Sequence, residues 1–365
     1  MKTVHVRLGQ RSYDILIAPH LLQRAAEILK EHAVQKRIFL IANKNVFRLH
    51  GKPLVDTLAA NGFDVTEIFI PDGEQFKTLH TLETIYTYLI AQRADRLSTI
   101  AALGGGVTGD IAGFVAATFL RGISYVQIPT TLLAQVDSSV GGKTGVNHPN
   151  GKNMIGVFHQ PSLVCIDTGT LSTLPDREYR SGLYEVLKYG LIYDREFFEY
   201  LETHIREVRN RAPEVLERVI GRCCEIKAEI TSLDERERDL RRILNFGHTY
   251  GHALEVVSGF QGITHGEAVA YGMIAATQLS HDLGYLAEDD CRRVLSLIGK
   301  VGDLPPVEHA SIEDLIEAMD RDKKRLEDRK FFVLLRQIGK TDVRGDVDDR
   351  RVREAWKKMV LLPQA

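Results

Sequence analysis

The residues best suited to chemistry lie in the second half of the 365-residue chain. In Asn245-Phe246-Gly247-His248-Thr249-Tyr250-Gly251-His252 the two histidines are four apart, so a helix would carry them on one face. His265-Gly266-Glu267 follows, and upstream Glu185 and Lys188 stand one turn apart in Gly182-Leu183-Tyr184-Glu185-Val186-Leu187-Lys188-Tyr189-Gly190. Imidazoles with a carboxylate suit Zn2+, or Co2+ as its substitute. Two His and one Glu with a fourth position open is a catalytic zinc arrangement. Spacing alone favours His248 and His252 as the histidine pair, by the logic of HExxH helices, although that motif is absent. A histidine by itself is more often a satisfied core or surface residue. The clustering argues for a metal.

The first half offers anion-binding loops. Leu103-Gly104-Gly105-Gly106-Val107-Thr108-Gly109-Asp110 satisfies GxGxxG between an expected strand and an expected helix. Glycine admits a phosphate close to the backbone, and the helix N-terminus supplies N–H groups. The acidic residue expected about 20 positions on is missing, since that region reads Tyr125-Val126-Gln127. Pro71-Asp72-Gly73-Glu74-Gln75-Phe76-Lys77 offers carboxylates for ribose hydroxyls, yet taken alone it reads better as a solvated turn. Gly141-Gly142-Lys143-Thr144-Gly145 is not a P-loop, because Asp137 stands where that motif needs glycine. Lys143, with Lys152 and Asn153 in a second Gly/Asn-rich loop, suits a small phosphorylated or carboxylated ligand.

These residues need two kinds of scaffold. Before about residue 175, β-rich runs at 37–42 (RIFLIA), 63–71, 99–103 and 124–128 alternate with helix-period stretches at 79–92 and 110–120. The first seventeen residues alternate like two short strands. That pattern predicts an α/β domain with a mainly parallel, Rossmann-like sheet over residues 1–175. Beyond it, helix-period stretches at 179–193, 213–233, 245–257, 266–283 and 312–320 predict a mostly helical domain over 176–365, with one clear strand signal at 330–335. The boundary is expected near Leu174-Pro175-Asp176.

A net charge of −2 gives no electrostatic case for nucleic acid or a membrane surface. No apolar run approaches the roughly 20 residues that span a bilayer. The start lacks a signal-peptide layout. Cys165, Cys223, Cys224 and Cys291 form no CxxC pair, and two are adjacent, so a reducing cytoplasm is the expected home.

Taken together, PDGEQFK, GGGVTGD, QIPTTLLAQVDSSVGGKTGVN, GKNMIGVFHQP, LPDREYRSGLYEVLKYG, LNFGHTYGHALE, HGEAVAYGM and DKK resemble the 3-dehydroquinate synthases, over about residues 71–324. The resemblance implies an NAD-binding N-terminal domain, a metal-binding C-terminal domain, one divalent ion (Zn2+ or Co2+) and a homodimer. It implies conversion of 3-deoxy-D-arabino-heptulosonate 7-phosphate to 3-dehydroquinate and phosphate. The route would be transient NAD-dependent oxidation, phosphate β-elimination, re-reduction and intramolecular aldol closure. By motif match the metal ligands would be Glu185, His248 and His265, and His252 would turn to the substrate. NAD would meet Asp72, Gly73, Glu74, Gln75, Phe76, Lys77, Gly106, Val107, Thr108, Gly109, Asp110, Thr130, Thr131, Thr170, Leu171, Ser172 and Thr173, with Lys143 and Lys152 also in reach. Substrate would meet Arg121 (across the dimer), Asp137, Lys143, Lys152, Asn153, Lys188, Lys227, Arg241, Asn245, His252 and one of Lys323 and Lys324. Lys143, Lys188, Asn245 and His252 would be the catalytic groups. One departure is Asn43-Lys44-Asn45, where the family often carries Asp-x-Asn. An amide can still bond a ribose hydroxyl.

Three rivals remain at this stage. A related sugar-phosphate cyclase, such as 2-deoxy-scyllo-inosose synthase, would keep the same metal and cofactor. A metal-dependent alcohol dehydrogenase would not need so many anion-binding lysines. A catalytically dead scaffold would not need Glu185, His248, His265, Lys143 and Lys188 together.

Overall fold

A computed structural model describes residues 1–259, 261–307, 310–323 and 330–360. It divides into two units, Met1–Pro175 with Pro213–Arg236, and Asp176–Ala212 with Glu237–Ala365. The chain therefore passes between units three times, where one crossing near Pro175 was expected. The helix Pro213–Leu233, expected with the second domain, groups with the first unit because it packs on the two N-terminal strands.

The first unit runs β1 (Lys2–Val6), β2 (Tyr13–Ala18), α1 (Ala25–Glu31), β3 (Arg37–Asn43), the single turn α2 (Lys44–Val46), α3 (Lys52–Ala60), β4 (Asp64–Ile70) and α4 (Leu79–Ala91). It continues with β5 (Thr99–Gly104), α5 (Gly106–Thr118), β6 (Ser124–Pro129), β7 (Lys143–His148), β8 (Gly151–Phe158) and β9 (Leu163–Asp167). After α6 (Asp176–Ile192) and α7 (Arg195–Arg209) of the second unit, α8 (Pro213–Leu233) completes it.

Seven strands form one sheet in the order β1-β2-β9-β6-β5-β3-β4. Every neighbouring pair is parallel except β1 on β2. The four strands expected from aliphatic runs, β3 to β6, are all present, and β5 is buried along its whole length. Successive β3 residues face opposite cores: Ile38, Leu40 and Ala42 join one apolar cluster, Phe39 and Ile41 another. β9 and the antiparallel β7–β8 hairpin were not anticipated. The eight-residue β8 is largely solvent-facing and glycine-bearing, so it carries little hydrophobic period. β3 lies between β4 and β5, so the winding of the chain reverses there. Open α/β sheets take their ligands outside the carboxyl ends of strands at such a point.

The second unit adds α9 (His248–Val257), α10 (His265–Asp282), α11 (Glu288–Val301), α12 (Ile312–Lys323), the hairpin β10 (Phe332–Gln337) and β11 (Lys340–Arg344), and α13 (Asp349–Val360). Its core gathers Tyr250, Leu254, Tyr271, Leu279, Phe332 and Trp356. α9 starts three residues later than the sequence period suggested, because Leu240–Asn245 is a tighter 3-10 segment.

Glycines set the spacing of α9 and α10. A Cβ on Gly272 would stand 1.8 Å from the Gly247 carbonyl oxygen, and one on Gly251 would stand 3.0 Å from that of Ala268. Gly247 itself holds φ +81, a left-handed value that favours glycine. Among the described residues no helix is long and apolar enough to cross a membrane.

Candidate metal centre and cofactor-binding loops

Three helices of the second unit bring Glu185, His248 and His265 together, with one donor atom from each within 4.8 Å of the others. Glu185 comes from the middle of α6, His248 opens α9 and His265 opens α10. Glu185 Oε1 lies 3.6 Å from Nε2 of each histidine. Tetrahedral sites with bonds of about 2.0–2.2 Å hold donors roughly 3.3–3.6 Å apart, so this set fits Zn2+ or Co2+. The far nitrogens are also occupied. His248 Nδ1 is 3.2 Å from the Phe246 carbonyl, and His265 Nδ1 is 3.4 Å from Glu255 Oε1. Such outer contacts fix the tautomer and aim Nε2 at a metal.

The electrostatics agree with that reading. Burial and the Lys188 ammonium hold His248 well below the ordinary imidazole range, which leaves it a neutral donor. Burial opposes protonation of His265, but hydrogen bonds to Glu185 and Glu255 prevail and push it up to about 10. The two carboxylates thus favour positive charge at this point, which a cation would supply. Lys188, 1% exposed, is ion-paired to Glu185 one turn away.

The histidine pair suggested by spacing is not the pair around Glu185. His252 shares a face with His248, their rings 5.2 Å apart, but it is exposed. A second cluster, His252, Glu255 and His265, also lies within 4.8 Å. There Glu255 meets the Nδ1 side of His265, which leaves Nε2 facing Glu185. Glu255 was missed in the sequence, although its place three residues after His252 in LNFGHTYGHALE was a usable signal. Asn245 Nδ2 donates to Glu237 Oε1 at 2.6 Å, and Arg241 is 1% exposed in the same 3-10 segment. Lys323 closes α12, and Lys324 lies outside the described residues.

In the first unit the candidate loops bond to one another. Asn43 at the end of β3 accepts from Val46 N at 2.8 Å, and its Nδ2 donates to Asp72 Oδ1 at 3.1 Å. The amide that replaces the usual carboxylate thus caps α2 and holds the PDGEQFK loop. The buried Lys77 reaches Asp110 of α5 at 2.5 Å and Asn153 of β8 at 2.5 Å. Burial raises the Asp110 carboxyl against the pull of Lys77. Asn147, not singled out in the sequence, completes the link: it donates to Glu74 Oε1 and accepts from Asn153 N, both at 2.8 Å.

The Gly-rich segment divides differently from the expectation. Gly106, Val107, Thr108, Gly109 and Asp110 form the first turn of α5, and the bend itself is Gly104-Gly105. A Cβ on Gly105 would press Thr131 Cγ2 at 3.0 Å, and Thr130 N donates to Gly104 O at 2.9 Å. No side chain caps the N-terminus of this thirteen-residue helix, so its N–H groups suit a pyrophosphate beside the reversal point of the sheet. Gly73 (φ +115), Gln75 and Phe76 lie in the short turn before α4.

The other candidates of this unit are spread more widely. Lys227 Nζ in α8 donates to the carbonyl and Oδ1 of Asp137 at 2.6 and 2.7 Å. Lys143 opens β7 and is exposed, while Lys152 is half-buried in β8. Thr170, Leu171, Ser172 and Thr173 belong to a 3-10 segment after β9. Leu171 there is fully buried, and Thr170 Oγ1 accepts from Gln135 Nε2 at 3.1 Å. Arg121 follows α5 with φ +69, in an exposed bend.

Comparison with known proteins agrees across both units. Residues 67–181 match the family model for the 3-dehydroquinate synthase N-terminal region, and 182–325 that for its C-terminal region. A 3-dehydroquinate synthase of Halorhodospira halophila is 48% identical, over 95% of this chain and 96% of its own. Among solved structures, 2-epi-5-epi-valiolone synthase from Streptomyces hygroscopicus, with NAD+ and Zn2+ bound, superposes with TM-score 0.88 at 31% identity, covering 97% of this chain and 98% of its own. 2-Deoxy-scyllo-inosose synthase, complexed with carbaglucose-6-phosphate, NAD+ and Co2+, also gives 0.88, at 28% identity over 98% and 100%.

Proposed function

The chain belongs to the 3-dehydroquinate synthase family, and from that premise we propose how its residues divide the work. The reaction converts 3-deoxy-D-arabino-heptulosonate 7-phosphate into 3-dehydroquinate and phosphate, a carbon–oxygen lyase step of the shikimate route to aromatic amino acids. The cyclases of other cyclitols are relatives near 30% identity, whereas the 3-dehydroquinate synthases stand near 48%. NAD, when bound, accepts and returns a hydride, and a divalent zinc or cobalt ion supplies Lewis acidity toward substrate hydroxyl oxygens.

The single observation that carries the reading is the Glu185–His248–His265 cluster with its 3.6 Å donor spacings. These three residues hold the metal. The first turn of α5, with Thr130 and Thr131, offers N–H and hydroxyl groups to the pyrophosphate. Asp72 and Glu74 accept ribose hydroxyls, and Lys77, Lys143 and Lys152 balance negative charge. The 3-10 segment holding Thr170, Leu171, Ser172 and Thr173 lines the cofactor. Lys143, Lys152 and Arg121 bind the substrate phosphate, and Arg241 with Asn153 takes its carboxylate. Asp137 and Lys227 orient hydroxyls as a pair. Lys188, Asn245 and His252 move or hold protons at substrate oxygens. Oxidation only activates, because the new ketone acidifies the neighbouring C–H and lets phosphate leave. Lys143 and Lys188 then steady the charge that develops. We further propose a homodimer in which Arg121 serves the neighbouring copy, and residence in the cytoplasm, in keeping with four free, buried cysteines.

Supplied with NAD+ and the heptulosonate phosphate, the purified enzyme should release phosphate and form 3-dehydroquinate without net NADH, and a chelator should stop it. NADH building up in step with phosphate would make it a dehydrogenase. A different cyclic product would move it to a sister cyclase.

A further inference from the structure

His265 has no helical turn before it, so something other than helix continuity must hold it at 3.6 Å from Glu185. Besides Glu255 at its Nδ1, four contacts gather around the start of its helix. Thr264 caps α10: its hydroxyl accepts from Glu267 N at 3.3 Å, and Glu267 Oε2 accepts from Thr264 N at 2.7 Å. The same carboxylate receives a fork from Arg177, Nε to Oε1 and Nη2 to Oε2, both at 2.8 Å. Arg177 Nη2 also donates to the Gly262 carbonyl at 2.5 Å, which ties the entering loop. Between these groups and Glu185, Gly266 N donates to Ser181 Oγ at 3.0 Å, and a Cβ on Gly266 would stand 1.9 Å from the Ser181 carbonyl oxygen. Arg177, Ser181 and Glu185 are spaced by four along α6, so the clasp, the close contact and the ligand share one helix face.

We propose that Arg177, acting through Glu267, is a positioning residue that fixes the register of α10 on α6 and so holds His265 in the metal's coordination sphere. Its planar fork matches a carboxylate at two points, which a lysine cannot do. Removing it leaves the capping box but frees the first turn of α10 to slide along α6. The inference rests on Glu185, His248 and His265 being the metal ligands.

The test is zinc affinity, measured by competition with a chromogenic chelator on the parent, Glu185→Gln, Arg177→Gln, Arg177→Lys, Glu267→Gln, the Arg177→Gln/Glu267→Gln double variant and Arg180→Gln. Groups that bond a ligand directly are worth roughly 10–100-fold in metal affinity, and Arg177 and Glu267, one step further out, belong at the lower end, about tenfold. Arg177→Gln and Glu267→Gln should each lose that much. The double variant should lose no more than the worse single one, Arg177→Lys should recover only part, and Arg180→Gln should bind like the parent. Melting temperatures with and without zinc separate this role from plain stability: the increment that zinc adds should shrink in Arg177→Gln. Unchanged zinc affinity with an equal drop of both melting temperatures overturns the clasp. So do losses that multiply in the double variant, a full recovery by lysine, or an equal loss in Arg180→Gln. If Glu185→Gln itself binds zinc like the parent, the ligand assignment fails instead, and the clasp with it.

Discussion

The two units assemble their candidate residues by different physical means. In the first, Asn43 and Gly104 end parallel strands, and Asp72, Gly105 and Thr130 sit in the short loops that follow such strands. The sheet hydrogen bonds carry those loops into place, and side chains such as Lys77 and Asn147 lock them together. In the second, the donors sit on the face of one helix and at the starts of two others, 63 and 17 residues apart along the chain. The approach of helix backbones, joined by side-chain contacts such as Arg177 to Glu267, sets their distances. A strand end tolerates a local adjustment, because its neighbours in the sheet stay fixed. A helix crossing made on glycine does not, because moving one helix displaces the ligand at its end.

The largest effect should come from the ligands themselves. Glu185→Gln or His265→Ala should strip the metal and lower turnover by roughly a thousandfold or more, equal to about 4 kcal/mol of transition-state stabilisation. Metal content is read by elemental analysis and turnover by phosphate release. Normal metal in both variants would remove the basis for treating this unit as the metal half.

Glycine substitutions test the contrast directly. Gly272→Ala sets a methyl 1.8 Å from a backbone oxygen, so α9 and α10 must part. Overpacking of that kind costs about 1–3 kcal/mol or more, and metal affinity should fall with it. Gly104→Ala meets the Thr108 side chain, Oγ1 at 2.6 Å and Cβ at 2.8 Å, so the first turn of α5 must shift, but by less than a contact of 1.8 Å with backbone demands. It should lower the melting temperature less and weaken NAD binding several-fold. Equal losses of stability in the two variants would erase the distinction between strand-end and helix-crossing placement.

Glu255→Gln probes the outer contact of His265. An amide keeps a hydrogen-bond acceptor but removes the charge, so zinc should bind roughly tenfold more weakly. A variant that binds zinc like the parent would mean that His265 is held by its backbone alone.

What could be read in the sequence follows the same division. The aliphatic runs of β3 to β6 announce buried parallel strands, and Pro213–Leu233 shows its helical period to the residue. The placement of that helix was not legible, because its apolar face packs on β1 and β2, which lie some two hundred residues away in sequence. The hairpin β7–β8 was hidden for the opposite reason, since its outer face is solvated. Spacing put His248 and His252 on one helix face, and they are on one face. Sharing a face does not make two histidines share an ion. The match to Glu185 depends on where α10 begins and how closely it can lie on α6, which Gly266 and Ser181 decide. Clustering brought His265 into the candidate group, but only resemblance to a family set it in the place of His252.

The smallest effect concerns whether the two units open separately. Burial pushes the thiols of Cys165 and Cys224 up to about 12, and that of Cys291 up to about 11. A raised value means that the folded state keeps its protons. The contribution of these groups to stability is therefore whole below about pH 8.5, the ordinary thiol range, and fades as pH climbs toward 11 and 12. At pH 8 thiolate is scarce in the folded protein, so a thiol reagent reads opening. Cys165 and Cys224 belong to the first unit and Cys291 to the second. A ligand at ten times its Kd adds about 1.4 kcal/mol to the unit that binds it, which slows opening about tenfold. In mild denaturant, zinc should therefore slow labelling of Cys291 about tenfold and leave Cys165 and Cys224 nearly unchanged, and NAD should do the reverse. If either ligand slowed all three alike, the two units would open as one cooperative body. The different routes by which they place their residues would then be a matter of assembly, with no separate stability behind it.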